Sequence, residues 1–356
     1  MKKKNIEYLI SLFLSIFAAL VIGAFIMWAN GRNPIVGFAA LIKGAIGSKY
    51  NIATTLAKTV PLILTGLATS ISFRSGIFNI GGEGQLYLGA FGAALVGISL
   101  VNLPGLVGIP LALLVSAIAG GLYALLPAIL KVRYNIDEVI VTIMLNTVAV
   151  LLTGYLVNYP FASDVGKLGA TEVIGEGYQL SRLVRLSTLN TSIFYVIVIT
   201  IIMYYLLERT SIGYEIKMIG QNPDFSRYGG INVKRRMIFA MVVSGVLCGI
   251  AGAFEVLGVH YRFLQHISPG YAWDGMLIAL IVKNNPLGVV LMSLFFGALK
   301  TGSISMENAT GIPSELIAVI QSIIILFIAG EAGFKSKIKG FFARKDGRKK
   351  VGEKNA

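Results

Sequence analysis

The groups best able to recognise a solute or do chemistry lie in two polar interruptions of otherwise apolar sequence. The first reads Ser70-Ile71-Ser72-Phe73-Arg74-Ser75-Gly76-Ile77-Phe78-Asn79-Ile80-Gly81-Gly82-Glu83-Gly84-Gln85. Its glycines oppose a regular helix, and irregular backbone at membrane depth persists only where protein or a water-filled cavity surrounds it. An ionisable group there is costly and is a functional candidate by default. Phe73, Asn79, Glu83 and Gln85 are therefore candidates for lining a solute pathway. The alternative is a solvated loop with Arg74 at the membrane interface. The second interruption runs from His260 to Asp274 and mixes aromatic with hydrogen-bonding groups. Such a mixture suits a planar, polar solute, with Trp273 and Asp274 as candidates, and equally suits an aromatic belt at the membrane surface. Asn146, inside an apolar run, is a further pathway candidate, or a hydrogen-bonding group between helices.

Other chemistry finds no support. His260 and His266 lack a third ligand at a metal-binding spacing. No G-x-S-x-G, H-E-x-x-H or Ser/His/Asp set is present, and no G-x-x-x-x-G-K-[ST] loop that would hold ATP phosphates. The chain is expected to be no enzyme and to carry no cofactor of its own. Active transport through it would draw energy from a partner or an ion gradient, and ion coupling favours more carboxylates within spans than this sequence has.

The elements that must position these groups follow from composition. The 356 residues are 55% hydrophobic and 13% charged, against about 25% charged in a soluble domain. Apolar runs of helical membrane-crossing length recur along the chain, without the short alternation of a β-barrel. The reading is an all-α polytopic membrane protein with about ten spans, near 8–29, 51–72, 80–100, 106–130, 137–157, 192–208, 237–257, 272–283, 286–301 and 314–330. The eighth and ninth are short, so a re-entrant pair is an alternative there. The first span resembles a signal peptide but is long for one and lacks a convincing cleavage site, so it is expected to be retained. Cys248 is the only cysteine, which excludes an internal disulfide.

The net charge of +14 is concentrated at Lys2–Lys4 and in the tail after Gly330. That placement fits cytoplasmic retention and contact with anionic lipid rather than nucleic-acid binding. An even number of spans puts both termini in the cytoplasm, with Lys131, Arg133, Arg209 and Lys234-Arg235-Arg236 on the same side. Arg32, Lys43, Lys49, Arg182 and Arg185 fall opposite. A faint repeat relates Ile136–Ile143 to Pro313–Ile320 and implies two inverted halves of five helices, a transporter architecture that holds solute between the halves. Chance likeness of apolar helices is the alternative. Glu138 and Glu315 are expected to offset orphan N–H groups at helix starts. Gly245, Gly249 and Gly252 are expected to form a small-residue helix face.

One polar segment remains, Gly213 to Ile231, reading GYEIKMIGQNPDFSRYGGI. It resembles the cytoplasmic coupling segment of bacterial ABC importer permeases, in the branch serving ribose, branched-chain amino acids and nucleosides. FRSGIFNIGGEGQLYLGA at 73–90 is similar to a second signature of that branch, and DEVIVTIMLN at 137–146 and GIPSELIAVIQSIIILFIAG at 311–330 resemble its nucleoside permeases. The resemblance covers roughly 50–335. It implies a type II ABC importer fold, with a permease domain over 1–335, a coupling segment at 209–236 and a basic cytoplasmic tail at 336–356. It also implies that Gly213, Glu215, Gly220, Asn222, Pro223, Arg227, Gly230 and Ile231 belong to the contact with an ATPase subunit, where ATP and Mg are held. A second homologous permease in a heterodimer, a substrate-binding lipoprotein and a nucleoside substrate complete the implied importer, in the bacterial cytoplasmic membrane. A simple-sugar (ribose-type) permease and an ion-coupled carrier are the alternatives.

Overall fold

Long apolar stretches whose amides pair within their own segment build helices. The computed structural model describes residues 17–163 and 169–323, and no strand beyond isolated bridges forms among them. The helices are α1 (Phe17–Ala29), α2 (Pro34–Ile46), α3 (Lys49–Arg74), α4 (Gly82–Ser99), α5 (Gly105–Tyr134), α6 (Glu138–Asn158), α7 (Ser192–Arg209), α8 (Ser211–Gln221), α9 (Pro223–Tyr228), α10 (Val233–Phe254), α11 (Tyr271–Ile281) and α12 (Pro286–Thr310). Among the described residues six are long and apolar enough to cross a membrane: α3, α5, α6, α7, α12, and α10 with its continuation to His260. The expected first and last spans extend into residues outside the described ones, as do Lys2–Lys4 and the basic tail. Helix α2 lies where no span was expected. Of the two short spans only α11 is short, since α12 runs for 25 residues.

Side chains one residue before α3 and α6 set their starts. Ser48 accepts from Asn51 N at 3.1 Å, and Asp137 accepts from Val139 N at 2.8 Å and Ile140 N at 3.3 Å. Asp137, not the expected Glu138, therefore caps α6. Glu138 lies inside the first turn, and its carboxylate reaches sideways to Lys131 Nζ (2.8 Å) and Phe78 N (3.3 Å).

The chain forms two compact units, residues 1–44 with 302–356 and residues 45–301. Within the first, Gly44 backs onto Ser305 and Gly302 onto Leu41. A cavity of about 430 Å³ there is lined by Asn30, Arg32 and Glu315 among others. Within the second, α10 is central and packs on α5, α4 and α3. Gly245 and Gly249 back onto Gly120 and Ser116 of α5, Gly252 onto Leu86 of α4, and Gly89 of α4 onto Gly249. This is the expected small-residue face. Lipid tails supply no hydrophobic drive between helices, so close backbone packing and hydrogen bonds must hold them. Ser116 Oγ adds one such bond, donating to Gly89 O at 2.8 Å.

The crossing after α3 is broken. Residues 75–81 leave the end of α3 as irregular chain, with Ile77 packed on Ala124, Ala128 and Met241. Asn146, about two turns or ~12 Å into α6, donates to Ile80 O and accepts from Gly84 N, both at 2.8 Å. Helix α4 thus starts beside the third turn of α6 rather than level with its first. Glu138 meets Phe78 N and Asn79 meets Gly81 N (3.0 Å), so these turned-out amides are satisfied.

The second interruption repeats the device. Helix α10 continues as a π-helical turn, Glu255–His260, and Tyr261 takes a left-handed φ of 57°. The chain then returns as irregular backbone to Gly270 (φ 87°) and α11. Eleven residues of helix extend about 16 Å, half the ~30 Å of hydrocarbon. The irregular chain ahead of it is residues 261–270. They are covered by 169–174: Thr171 N donates to Phe263 O (3.0 Å), Ile174 N to Tyr261 O (2.9 Å), and Gln265 N to Gly169 O (2.8 Å). Leu180 N and Asn190 Nδ2 meet the carbonyls of Leu257 and Gly258 in the π turn, at 2.9 and 3.0 Å.

Two substitutions separate these supports. Gly249→Val should cost about 1–3 kcal/mol through overpacking, read as a lower denaturation temperature in detergent, whereas Gly154→Ala, whose added carbon would lie 3.6 Å from Gln265, should not. Asn146→Leu orphans Ile80 O and Gly84 N and should destabilise by about 1–3 kcal/mol for each group left unpaired. Thr153→Val, which loses only back-bonds within α6 to Ala149 O (2.8 Å) and Val150 O (3.2 Å), is the control. An Asn146→Leu protein as stable as the control would show that the broken segment finds other partners.

Candidate functional site

The broken helices bring two N-termini together around Glu83. Its Oε2 accepts from Ala272 N at 3.1 Å, so one carboxylate sits in the first turn of α4 and at the start of α11. Both helix dipoles present their positive ends there, which favours a negative group. Ser268 Oγ accepts from Gly270 N (3.2 Å) and Tyr271 N (3.1 Å), and Thr65 Oγ1 of α3 donates to Tyr271 O (3.0 Å). In the first turn of α11, Asp274 pairs with Lys300 of α12 at 2.5 Å. The Lys300 ammonium also lies 5.7 Å from the centre of the Tyr271 ring. Lys58 Nζ of α3 donates to Lys300 O at 3.0 Å. Buried charge away from water is tolerable only when paired in this way.

Asn79 and Gln85 exchange amide hydrogen bonds at 2.9 and 3.0 Å, and Asn79 Nδ2 also donates to Ser244 Oγ of α10 at 2.9 Å. Glu83, Asn79, Gln85 and Asn146 are all buried, so this group braces the start of α4. Phe73 stacks edge-on against Phe78 with 4.8 Å between ring centres, and Phe78 and Trp273 are the more exposed aromatics of the region. Behind them Phe263 meets Tyr87 and Phe91 edge-on at 6.2 and 5.4 Å. The pathway candidates thus divide into a buried polar brace, an ion-paired carboxylate (Asp274) and accessible rings. Sequence reasoning missed Lys58, Lys300, Ser244 and Ser268. The two lysines were detectable as charges inside apolar runs.

Where α3, α7 and α10 meet α8 and α9, the polar segment is shaped from within. Thr210 Oγ1 accepts from Gly213 N at 3.2 Å, starting α8. A Cβ at Gly213 would overlap the carbonyls of Leu206 and Leu207, and one at Gly220 would overlap the Arg74 carbonyl. Glu215 pairs with Arg236 of α10. Asn222 adopts extended backbone and accepts from Phe225 N at 2.9 Å, with Pro223 opening α9. Gly230 takes φ 82°, and Ile231 N closes the turn onto Ser226 O at 3.0 Å. Ile216 and Ile219 are fully buried. The outer face carries Tyr214, Phe225 and Tyr228, which are 62%, 62% and 94% exposed, beside the exposed Arg227 and Asp224. Aromatic groups next to Arg are the composition of a protein-binding hot spot. These rings were not singled out from the sequence, which pointed to the residues that bend the segment.

A family described as branched-chain amino acid transport system / permease component matches residues 51–329. The guanosine ABC transporter permease protein NupP of Bacillus subtilis (strain 168) is 35% identical over 330 residues, 92% of this chain and 94% of that protein. The nucleoside ABC transporter permease protein NupB of Lactococcus lactis subsp. cremoris (strain MG1363) is 35% identical over 338 residues, 92% of each chain. The glucose ABC transporter permease protein TsgB13 of Haloferax volcanii is 29% identical over 332 residues, 90% of this chain and 87% of that protein. Apolar helices broken at membrane depth, a braced polar segment outside them and a match spanning most of the sequence lead to one conclusion: this multi-pass membrane protein belongs to the permease-component family of branched-chain amino acid transport systems.

Proposed function

We propose that this chain is the nucleoside-translocating permease subunit of an ATP-driven importer in the bacterial cytoplasmic membrane. The observation that carries the reading is the α8–α9 segment, rigid on its inner side and aromatic on its outer side. Gly213, Glu215, Gly220, Asn222, Pro223, Gly230 and Ile231 hold its shape, and Arg227 with Tyr214, Phe225 and Tyr228 contacts an ATPase that binds ATP and Mg. The nucleoside assignment draws on the guanosine and nucleoside permeases above. A planar base with hydrogen-bonding edges suits a route lined by Phe73, Phe78, Trp273 and Asp274, with Asn79, Glu83, Gln85 and Asn146 keeping its wall in place.

In this reading the permease domain covers 1–335, in a type II fold with inverted five-helix halves, and 336–356 is a basic cytoplasmic tail. A second, related permease completes the pathway as a heterodimer, and a lipoprotein delivers the solute. Arg74 at the end of α3, Arg209 at the end of α7 and Lys234-Arg235-Arg236 at the start of α10 lie at helix ends next to α8 and α9, which supports a cytoplasmic position for that side; both termini are assigned to the same side. The glucose permease relative favours a sugar as the second reading.

Replacing Phe225 and Tyr228 together by alanine should strip the ATPase from the purified complex and lower uptake by at least about tenfold, the effect of losing ~1.4 kcal/mol of contact. The permease itself should remain in the membrane. Deleting the gene should abolish uptake of labelled uridine and guanosine, and its return should restore it, with ribose and glucose failing to compete. Loss of sugar uptake with unchanged nucleoside uptake would keep the permease and overturn the substrate. Uptake that continues with ATP hydrolysis blocked would point to an ion-coupled carrier.

A further inference from the structure

Arg74 touches three elements at once. Its carbonyl lies against Gly220 of α8, closely enough that no side chain fits at that position. Its Nη2 donates to Glu208 in the last turn of α7 (2.6 Å), two residues before Thr210, which caps α8. Its Nε donates to Asn284 O at 2.8 Å, in the turn that closes α11. The guanidinium is largely buried, at 14% exposure. A planar guanidinium fixes the relative position of two acceptors in a way a flexible ammonium does not.

The turn it grips is wound tightly. Lys283 and Asn284 both take left-handed φ, 52° and 59°, immediately before the start of α12. Non-glycine residues hold such angles only where their surroundings impose them. Beyond that turn α11 is a single short helix, and its far end is the one that meets Glu83, Thr65 and, through Asp274, Lys300. A short rigid helix held at one end by Arg74, on whose carbonyl α8 rests, and at the other by the broken start of α4 carries displacement from end to end.

Building on the reading of α8–α9 as an ATPase contact, we infer that Arg74 is a positioning residue that couples that contact to α11, through its bond to the Asn284 carbonyl. Movement of α8 shifts Arg74, Arg74 shifts the C-terminal end of α11, and the N-terminal end moves against Glu83 and the Asp274–Lys300 pair. The plainer account makes Arg74 a counter-charge for Glu208.

The test uses the complete transporter in proteoliposomes: both permeases, the ATPase and the binding protein. Arg74→Met combined with Glu208→Gln removes both charges, so no uncompensated ion stays buried. This double variant should assemble, retain the ATPase and keep hydrolysing ATP, while uptake per ATP falls by about tenfold, within the 5–150-fold range of ordinary coupling energies. Glu208→Gln alone keeps the Arg74–Asn284 bond and should stay within about twofold of wild type on the same scale. Normal uptake per ATP in the double variant, an equal loss in Glu208→Gln, or failure of the double variant to assemble would each overturn the link. Loss of the ATPase from the double variant would also overturn it, making Arg74 part of the docking surface. An ATPase that stays bound to the Phe225→Ala/Tyr228→Ala protein would overturn the docking reading, and the link with it.

Discussion

A backbone amide or carbonyl within hydrocarbon has no water to bond, and the fold is organised around meeting that constraint where its helices break. At 75–81 and 261–270 the chain abandons its own hydrogen-bond ladder, and side chains or neighbouring loops take over. Asn146, Asn79 and Glu138 serve the first break; Thr171, Gly169 and Ser268 serve the second. Because of these substitutes two helices, α4 and α11, begin side by side with their N-termini at Glu83. Without them the polar groups of the candidate pathway would have no fixed place.

Close helix packing supplies the second condition. The glycines of α10 bring α4 and α5 to backbone contact, which sets where α4 can start and hence where Asn79 and Gln85 meet Ser244. On the α8–α9 side the same economy of space appears at Gly213 and Gly220. There it serves rigidity rather than helix association, since each glycine seats the segment directly on carbonyls at the ends of α7 and α3. The inner face is thereby fixed and the aromatic outer face left accessible.

Much of this was legible in the residues themselves. Glycine clusters with Glu83 and Asn79 marked one break, the polar run to Asp274 marked the other, and the spacing of Gly245, Gly249 and Gly252 marked a helix contact. What stayed hidden depended on partners distant in the chain. That Glu138 would pair with Lys131 and leave capping to Asp137 depends on which way a first-turn side chain points. That Lys58 would meet the Lys300 carbonyl and Lys300 the Asp274 carboxylate requires α3, α11 and α12 to be side by side, which periodicity does not encode. The segment 169–190 reads as a featureless loop because its bonding partners lie in the π turn and the irregular chain after it. The outer rings of α8 and α9 were overlooked for the opposite reason, since a partner's contact surface carries no internal pattern.

The brace on the first break also sets a timetable. Asn146 follows Ile80 by 66 residues, and Ala272 follows Glu83 by 189. At synthesis rates of about 5–20 residues per second, the carbonyl of Ile80 exists for roughly 3–13 seconds before Asn146 is made, and Glu83 for roughly 10–40 seconds before Ala272. During the first interval Ile80 O and Gly84 N lack their native partner, Asn146, and until the second has passed the Glu83 carboxylate lacks the Ala272 amide. The break after α3 is consequently braced only once α6 has been made, and the site at Glu83 is complete only when α11 arrives.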